Sequence, residues 1–302
     1  MAALWLGVRG ALPGLHALAT NSVSDTPPVP IATDAPAAFA QGQEEFGQRH
    51  YAEAVASFSQ AIKLKPDWEE AYMRRGVAKE GQNNLYGALE DFSHAIKLNP
   101  RDAAAYERHA RILEISGDFS KSVTDINEAL QLRPSWDVLY FRRGVTNMIL
   151  GQWDAAVSDL QTFCERRPQV GNADYAHLYL WYVAHEQGKA ADADQALAAY
   201  FAGQNSQVDP TSPAQAWTPE IAGFLLGKVP EDDLLAQANS TDARRNRHLH
   251  CEAWFYIGLK ALVAGDKTGA TTDFQNCVSN GQIHLAEHEF ANAKLKEWSG
   301  NP

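Results

Sequence analysis

The sequence is poor in cysteine, has no long apolar run and carries no excess of positive charge. Its 302 residues include three cysteines, an odd number that does not make a disulfide framework in a chain of this length. No run of 18 consecutive apolar residues is present, so we expect no membrane-spanning helix. The 26 basic and 37 acidic side chains give a net charge of −11, and no long run of lysine or arginine occurs. We therefore expect no nucleic-acid partner.

The sequence also lacks the short motifs of nucleophilic and nucleotide chemistry. It contains neither G-x-S-x-G nor the phosphate-binding G-x-x-x-x-G-K-[ST]. We therefore expect a protein that is not an enzyme and uses no cofactor. What the sequence does contain is 45% hydrophobic and 21% charged residues. That composition supplies enough apolar material for a buried core and excludes wholesale disorder.

The N-terminal segment, residues 1–34, differs from the rest of the chain. Residues 1–19 are mostly apolar and end in Ala17-Leu18-Ala19, the small-x-small pattern of a signal-peptide cleavage site. Arg9 lies inside this apolar stretch rather than before it, which favours the alternative of a leader without a targeting role. Residues 20–36 contain proline, serine and threonine and no apolar face. We expect residues 1–34 to form a leader and a disordered linker.

A regular period runs through the first half of the sequence. Four prolines mark it at equal intervals: Pro66, Pro100, Pro134 and Pro168. When proline is counted as position 32, the frames begin at Ala35, Glu69, Ala103 and Asp137. Position 8 is then always small: Gly42, Gly76, Ala110 and Gly144. Position 24 is always large and apolar: Phe58, Phe92, Ile126 and Leu160.

This period of about 34 residues, with its pattern of small and large side chains, resembles the tetratricopeptide (TPR) repeat. Each frame then forms two helices in an antiparallel hairpin, and the small residues let the helix axes approach to about 8–10 Å. Proline at position 32 ends the second helix. A single hairpin cannot bury its apolar face alone, so successive hairpins stack. We predict an all-α fold: a TPR superhelical solenoid of antiparallel helix hairpins, with a helical insert and a C-terminal capping helix.

The sequence also predicts how far the solenoid extends. Residues 35–202 form the TPR array, with four regular repeats over residues 35–170 and one degenerate repeat after them. A helical insert follows over residues 203–250, and residues 251–302 form a terminal TPR repeat plus the capping helix. The basic cluster over residues 244–250, at the end of the insert, is expected to be a solvated loop that flanks a helix.

The order of motifs in residues 215–298 is more distinctive than the repeats. The motifs are Trp217-Thr218-Pro219, Phe224-Leu225-Leu226-Gly227, Glu252-Ala253-Trp254-Phe255-Tyr256-Ile257-Gly258 and a last helix with His284 and His288. This order resembles the bacterial new-lipoprotein-I (NlpI-like) family of TPR lipoproteins. The resemblance implies a dimeric scaffold of the periplasm and cell envelope that recruits peptidoglycan hydrolases and a protease. That family carries a lipid on a cysteine just after its signal peptide. The first cysteine here is Cys164, so we expect no lipid anchor of that kind.

The TPR resemblance implies a binding surface as well. In TPR superhelices, positions 2, 5, 9, 12 and 13 of the first helix of each repeat line the concave face. Those positions give the candidate groove residues Phe39, Gln43 and Phe46; Glu70, Met73, Val77 and Glu80; Glu107, Arg111 and Glu114; and Val138, Phe141, Val145 and Met148. The asparagine at position 9 that TPR domains use to bind acidic chaperone C-termini is absent, because Gln43, Val77, Arg111 and Val145 occupy that position.

These groove residues suit an amphipathic helix or an extended apolar peptide of a partner protein, and the glutamates favour basic residues in that partner. The alternative is that the solenoid buries them against its own later helices or against a second subunit. In the first case Phe141→Asp and Met148→Asp abolish partner binding and leave the helices intact; in the second they damage the fold. We predict a non-enzymatic scaffold or adaptor of the cell envelope. The alternative is a cytoplasmic TPR module for protein-complex assembly.

Two other patterns have functional alternatives. The segment from His284 to His288 matches H-x-x-E-H, a zinc-protease pattern, which makes a zinc hydrolase a third hypothesis. A solvated face is favoured, because the motif lies in the predicted capping helix, where polar residues are expected. Cys251 and Cys277 lie at adjacent ends of one predicted hairpin, so a disulfide is an alternative if the chain is exported. A packed pair of free thiols is favoured, because position 27 is normally a small core residue.

Overall fold

The structure is a computed structural model that describes residues 34–167, 172–204, 217–280 and 286–300. Over these residues it consists of fifteen α-helices joined by turns, without a β-strand. The predicted all-α fold is confirmed. None of the described helices combines the length and the apolar character needed to cross a lipid bilayer.

The first eight helices form four hairpins that follow the predicted repeat frames. Their bounds are α1 (Ala35–Gly47), α2 (Tyr51–Leu64), α3 (Glu69–Gly81), α4 (Leu85–Leu98), α5 (Ala103–Ser116), α6 (Phe119–Leu132), α7 (Val138–Ile149) and α8 (Trp153–Arg166). The first helix of each later hairpin also packs on the second helix of the hairpin before it. Stacking of neighbours is the contact pattern expected of a repeat solenoid.

The small residue at position 8 sets the close approach of the two helices in a hairpin. A Cβ atom placed on Gly76 would lie 2.6 Å from Cε1 of Phe92, and one on Gly42 would lie 2.7 Å from Cε1 of Phe58. Both phenylalanine rings are buried, so no space exists for a larger residue. The turn inside the third hairpin is made by Gly117, whose φ of +84° favours glycine.

A polar contact of the same period joins each hairpin to the one before it. In the fourth hairpin the Arg143 guanidinium binds both carboxylate oxygens of Asp159 at 2.6 and 2.8 Å and the side-chain oxygen of Asn127 at 2.6 Å. The matching contacts in the second and third hairpins are Arg75 with Asp91 and Ser59, and His109 with Asp125 and Ser93. These contacts link three helices and orient successive hairpins.

Seven further helices complete the described chain. Their bounds are α9 (Asn172–Glu186), α10 (Ala190–Gln204), α11 (Trp217–Leu225), α12 (Glu231–Gln237), α13 (Ala243–Val263), α14 (Lys267–Ser279) and α15 (Ala286–Ser299). The predicted helix over residues 284–298 corresponds to α15, which packs on α14 and α13. The core of this half runs continuously from Val145 in α7 to Ala291 in α15.

The expectation of a loop at the basic cluster is wrong. Residues 244–250 belong to the first two turns of α13, which begins at Ala243 and continues through residue 250 without a break. The side chain of Asp242 accepts a hydrogen bond from the backbone N–H of Arg245 and so caps the helix N-terminus. The helix therefore extends the first helix of the terminal repeat by two turns, and His248 faces the carboxylate of Glu252 one turn later.

Candidate binding groove

The candidate groove follows the first helices of the repeats, and its accessible part lies on α1, α3 and α5. Phe46, Met73 and Val77 are half-buried and present part of their apolar surface to solvent. Phe39 is buried and stacks on Trp68, with ring centroids 4.5 Å apart. Phe39 therefore supports the groove from behind and does not line it.

A small cavity opens on this surface between α1 and α3. It has a volume of about 80 Å³ and is lined by Gln43, Phe46, Phe58, Arg74 and Val77. Pockets that enclose whole small molecules begin at roughly 300 Å³, so this cavity is too small for a ligand of that kind. Its size and its mainly apolar walls suit one aliphatic side chain of a bound peptide.

Three of the four acidic groove candidates are paired with arginines of the following repeat. Arg111 of α5 donates a hydrogen bond to Glu80. Arg142 of α7 donates to Glu107 at 2.5 Å and to Glu114 at 2.6 Å. All three carboxylates thus bridge from one repeat to the next. Because these pairs are partly buried, they are screened less by salt than exposed pairs are.

The expectation that the glutamates attract basic partner residues stays a prediction, but the carboxylates are not free charges. The four groove glutamates are Glu70, Glu80, Glu107 and Glu114, and each forms an ion pair with a guanidinium group. Four arginines of α3, α5 and α7 supply these groups: Arg74, Arg108, Arg111 and Arg142. The formal charges of the two sets cancel, so these eight side chains contribute nothing to the −11 net charge of the chain.

The fourth repeat contributes little accessible surface. Met148 is completely buried and Val145 is 5% exposed. Phe141 packs on Tyr179 of α9, with ring centroids 5.9 Å apart. Of the four candidates in this repeat, Val138 at the start of α7 is exposed. The alternative in which the solenoid covers its own groove therefore describes this repeat. In the third repeat, α15 approaches the C-terminal end of α5, where Lys296 lies beside Gly117, while Arg108 stays partly exposed.

The C-terminal helix α15 takes part in covering the fourth repeat. Its first turn holds Glu289 close to the charged groups of α5 and α7. Burial raises the pKa of Glu289 to about 8, and the charge of Glu114 acts in the same direction. The guanidinium groups of Arg142 and Arg111 oppose this shift and lower the pKa. An acidic helix start thus lies against the arginine-bearing end of the groove.

Sequence reasoning missed a column of arginines at position 6. The column consists of Arg74, Arg108 and Arg142, which recur once in each frame on α3, α5 and α7. Arg74 lines the cavity, and Arg108 lies 3.7 Å from a carboxylate oxygen of both Glu80 and Glu107. The spacing was visible in the sequence. It was overlooked because position 6 is not among the concave positions taken from the TPR resemblance.

A second polar cluster is enclosed between α9, α11, α13 and α15. Glu252 accepts a hydrogen bond from Nε1 of Trp217 at 2.5 Å and lies 3.1 Å from Nε2 of His248. Glu287 accepts one from the hydroxyl of Tyr179 at 2.5 Å. Burial raises the pKa of Glu287 to about 7, and the charge of Glu252 adds to the shift. The hydrogen bond with Glu252 raises the pKa of His248.

The remaining sequence candidates lie at the C-terminal end. Cys251 and Cys277 are buried free thiols, and their mutual contact and burial raise the pKa of the Cys277 thiol. His284 lies outside the described residues. His288 and Glu287 are buried in α15, so the solvated face expected for this motif is wrong for these two residues. Among the residues that the structure describes, no three side chains of histidine, cysteine, aspartate or glutamate form a group suited to a metal ion.

Comparison with protein families identifies the repeats. Residues 39–93 match one tetratricopeptide repeat model and residues 103–135 match a second. The chain therefore carries tetratricopeptide repeats. The sequence matches no curated protein.

Solved structures of similar fold support the same assignment. A tetratricopeptide repeat protein from Parabacteroides merdae ATCC 43184 superposes with a TM-score of 0.60 at 16% identity, over 86% of this chain and 98% of that chain. A MamA protein gives 0.54 at 13% identity, over 59% and 98%. MamA from residue 41 onward, of Desulfovibrio magneticus RS-1, gives 0.53 at 14% identity, over 59% and 99%. At such identities the likeness concerns the fold alone, and that fold is the TPR solenoid.

Proposed function

We propose that this chain is a non-enzymatic scaffold or adaptor that binds a segment of a partner protein along the concave face of its first three repeats. The observation that carries the proposal is the contrast between the two ends of the groove. At the fourth repeat, later helices of the chain itself cover the apolar residues, and Met148 is fully buried. At the first and second repeats, Phe46 and Val77 flank an open cavity of about 80 Å³. An open apolar groove on a rigid helical frame suits a helix or an extended peptide.

A substitution pair tests this function. Val77→Asp places a charge at the cavity wall, and Leu98→Asp makes the same kind of change at an exposed position at the end of α4. Each immobilised variant is exposed to a lysate of the native host, and the retained proteins are identified by mass spectrometry. We expect partners that the wild type and Leu98→Asp both retain and that Val77→Asp loses. If all three retain the same proteins, the groove is not the binding surface.

The resemblance of residues 215–298 to NlpI-like proteins supports a more specific setting. In this setting the scaffold lies in the bacterial cell envelope, forms a homodimer and recruits peptidoglycan hydrolases or a protease. The alternative is a cytoplasmic module that assembles protein complexes. Cell fractionation with N-terminal sequencing separates the two, because a cytosolic protein that retains Met1 contradicts the envelope setting. Light scattering of the purified chain tests the dimer.

A further inference from the structure

The arginine column at position 6 presents positive charge to solvent although the groove is balanced in formal charge. The side chains of Arg74 and Arg108 are 51% and 38% exposed. Those of Glu107 and Glu114 are 16% and 8% exposed. The guanidinium group of Arg108 therefore lies nearer the solvent than the carboxylates beside it. At Arg74 the paired Glu70 is 52% exposed, so the two groups lie equally near the solvent. A partner that enters the groove reaches both guanidinium groups.

These two exposed arginines keep hydrogen-bonding capacity. Arg108 lies 3.7 Å from each neighbouring carboxylate, which is longer than a hydrogen bond. Arg74 pairs with Glu70 at 3.5 Å, and Glu70 is itself about half exposed. An exposed pair of this kind is easily exchanged for a better partner, because it adds little stability. A guanidinium has five N–H donors in a fork that fits a carboxylate, so both side chains can accept an acidic ligand group.

The covered end of the column differs from its open end. Arg142 is 19% exposed, and its guanidinium group pairs with Glu107 and Glu114. Arg74 and Arg108 are more exposed and lie farther from their carboxylate neighbours. The open end therefore holds the guanidinium groups that a carboxylate from another protein can reach.

We propose that the open groove binds a partner segment in which an aliphatic side chain fills the cavity beside Val77 and acidic residues pair with Arg74 and Arg108. This inference rests on the proposed function and names the chemistry of its partner. Helices of adjacent repeats are about 10 Å apart, and an extended peptide advances about 3.3 Å per residue. The two acidic residues should therefore lie about three positions apart. Such a partner carries acidic residues where the groove glutamates predict basic ones.

A position-scanning library of nine-residue peptides tests the proposal. The peptides are acetylated and amidated so that a terminal carboxylate cannot imitate an acidic side chain. We expect enrichment of aspartate or glutamate at two positions about three apart, next to leucine, isoleucine, valine or methionine. The affinity of the best peptide is then measured by fluorescence anisotropy at low and high salt, and it should fall as the salt concentration rises.

Matched variants separate charge recognition from a general loss of binding. Arg74→Gln with Arg108→Gln should weaken the best acidic peptide at least tenfold. The control is Lys97→Gln with Lys121→Gln, which removes the same charge from exposed positions on α4 and α6 and should leave the affinity unchanged. Circular dichroism confirms that both double variants remain folded.

The remaining outcomes contradict one proposal or both. If the enriched peptides are neutral or basic, and Val77→Asp still abolishes their binding, the acidic partner is contradicted. The groove then remains the binding site. The acidic partner also fails if both double variants bind the best peptide equally well. If no peptide in the library depends on Val77, the proposed function fails together with the inference.

Discussion

At the scale of single residues, the glycine at position 8 determines how closely the two helices of a hairpin approach. In the second repeat, Gly76 faces the ring of Phe92, and a Cβ atom at this position would lie 2.6 Å from that ring. The ring is fully buried and cannot move without displacing its neighbours. The same arrangement recurs at Gly258 and Phe274 in the terminal repeat. A residue usually unfavourable in helices is therefore required here for packing.

This packing predicts the effect of replacing the glycine at position 8 by alanine. Gly76→Ala gains about 1 kcal/mol of helix propensity but incurs about 1–3 kcal/mol of overpacking. We expect a net loss of about 1 kcal/mol in the free energy of unfolding, measured by urea denaturation. Gly47→Ala is the control, because nothing lies within 4 Å of its Cβ position. It should keep or increase the stability, and an equal effect of both substitutions would contradict the packing argument.

At the scale of helices, the packing of α7 against α9 and α15 determines which of its apolar residues are buried. Met148 is fully buried, whereas Val138 on the same helix is 40% exposed. Met148→Asp should therefore lower the free energy of unfolding by about 3–5 kcal/mol, because it buries a carboxylate without a partner. Val138→Asp should change it by less than about 0.5 kcal/mol. Urea unfolding followed by circular dichroism compares the two, and similar midpoints would show that α7 is not covered.

The attachment of α15 should depend on pH, because Glu287 and His248 both favour bound protons in the folded chain. The pKa of Glu287 rises from its ordinary 4.5 to about 7. Between these values the unfolded chain releases a proton that the folded chain keeps, so stability falls as pH rises through this range. The pKa of His248 is also raised, and the stabilisation from its charged form is lost as pH rises through that raised value. The two contributions have the same sign.

We therefore expect the protein to be more stable at pH 5 than at pH 8. The contribution of Glu287 should be about 3 kcal/mol, since one pKa unit corresponds to about 1.4 kcal/mol. Thermal or urea unfolding at pH 5, 6, 7 and 8 measures the slope, and Glu287→Gln should make it shallower. Glu297→Gln, at an exposed position of α15, is the matched control and should leave the slope unchanged. A slope that Glu287→Gln does not alter would contradict this assignment.

At the scale of the whole molecule, the sequence predicted the four regular repeats better than the C-terminal half, which has no regular period. The spacing from Pro66 to Pro134 and the small residues at position 8 were sufficient to place α1–α8, because each hairpin contacts its neighbours along the chain. The closure of α7 under α15 was not predictable in this way. It depends on contacts such as Tyr179 with Glu287, which are 108 residues apart and have no periodic signal.

In the candidate site, too, the features set by the repeat period were predictable and the contacts between repeats were not. Phe46, Met73 and Val77 lie where the TPR frame placed them, since local period fixes which face of a helix they share. The pairing of Glu80 with Arg111 joins two repeats through side-chain geometry that a frame does not specify. Arg108 was predictable in principle, because arginine recurs every 34 residues at position 6. It was not among the candidates because position 6 is not one of the concave positions of the TPR repeat.

The cover that α15 places over the fourth repeat also has a consequence for synthesis. The first three hairpins are stabilised by contacts near in sequence and can form as the chain leaves the ribosome, because local contacts close quickly. Tyr179 of α9, which packs on Phe141 of α7, also contacts Phe255 and Tyr256 of α13 and Glu287 of α15, so this face cannot be fully buried until α15 has emerged. The nascent chain therefore exposes this apolar face for longer than any hairpin before it. The fourth repeat is where a chaperone would be needed and where truncated chains would aggregate.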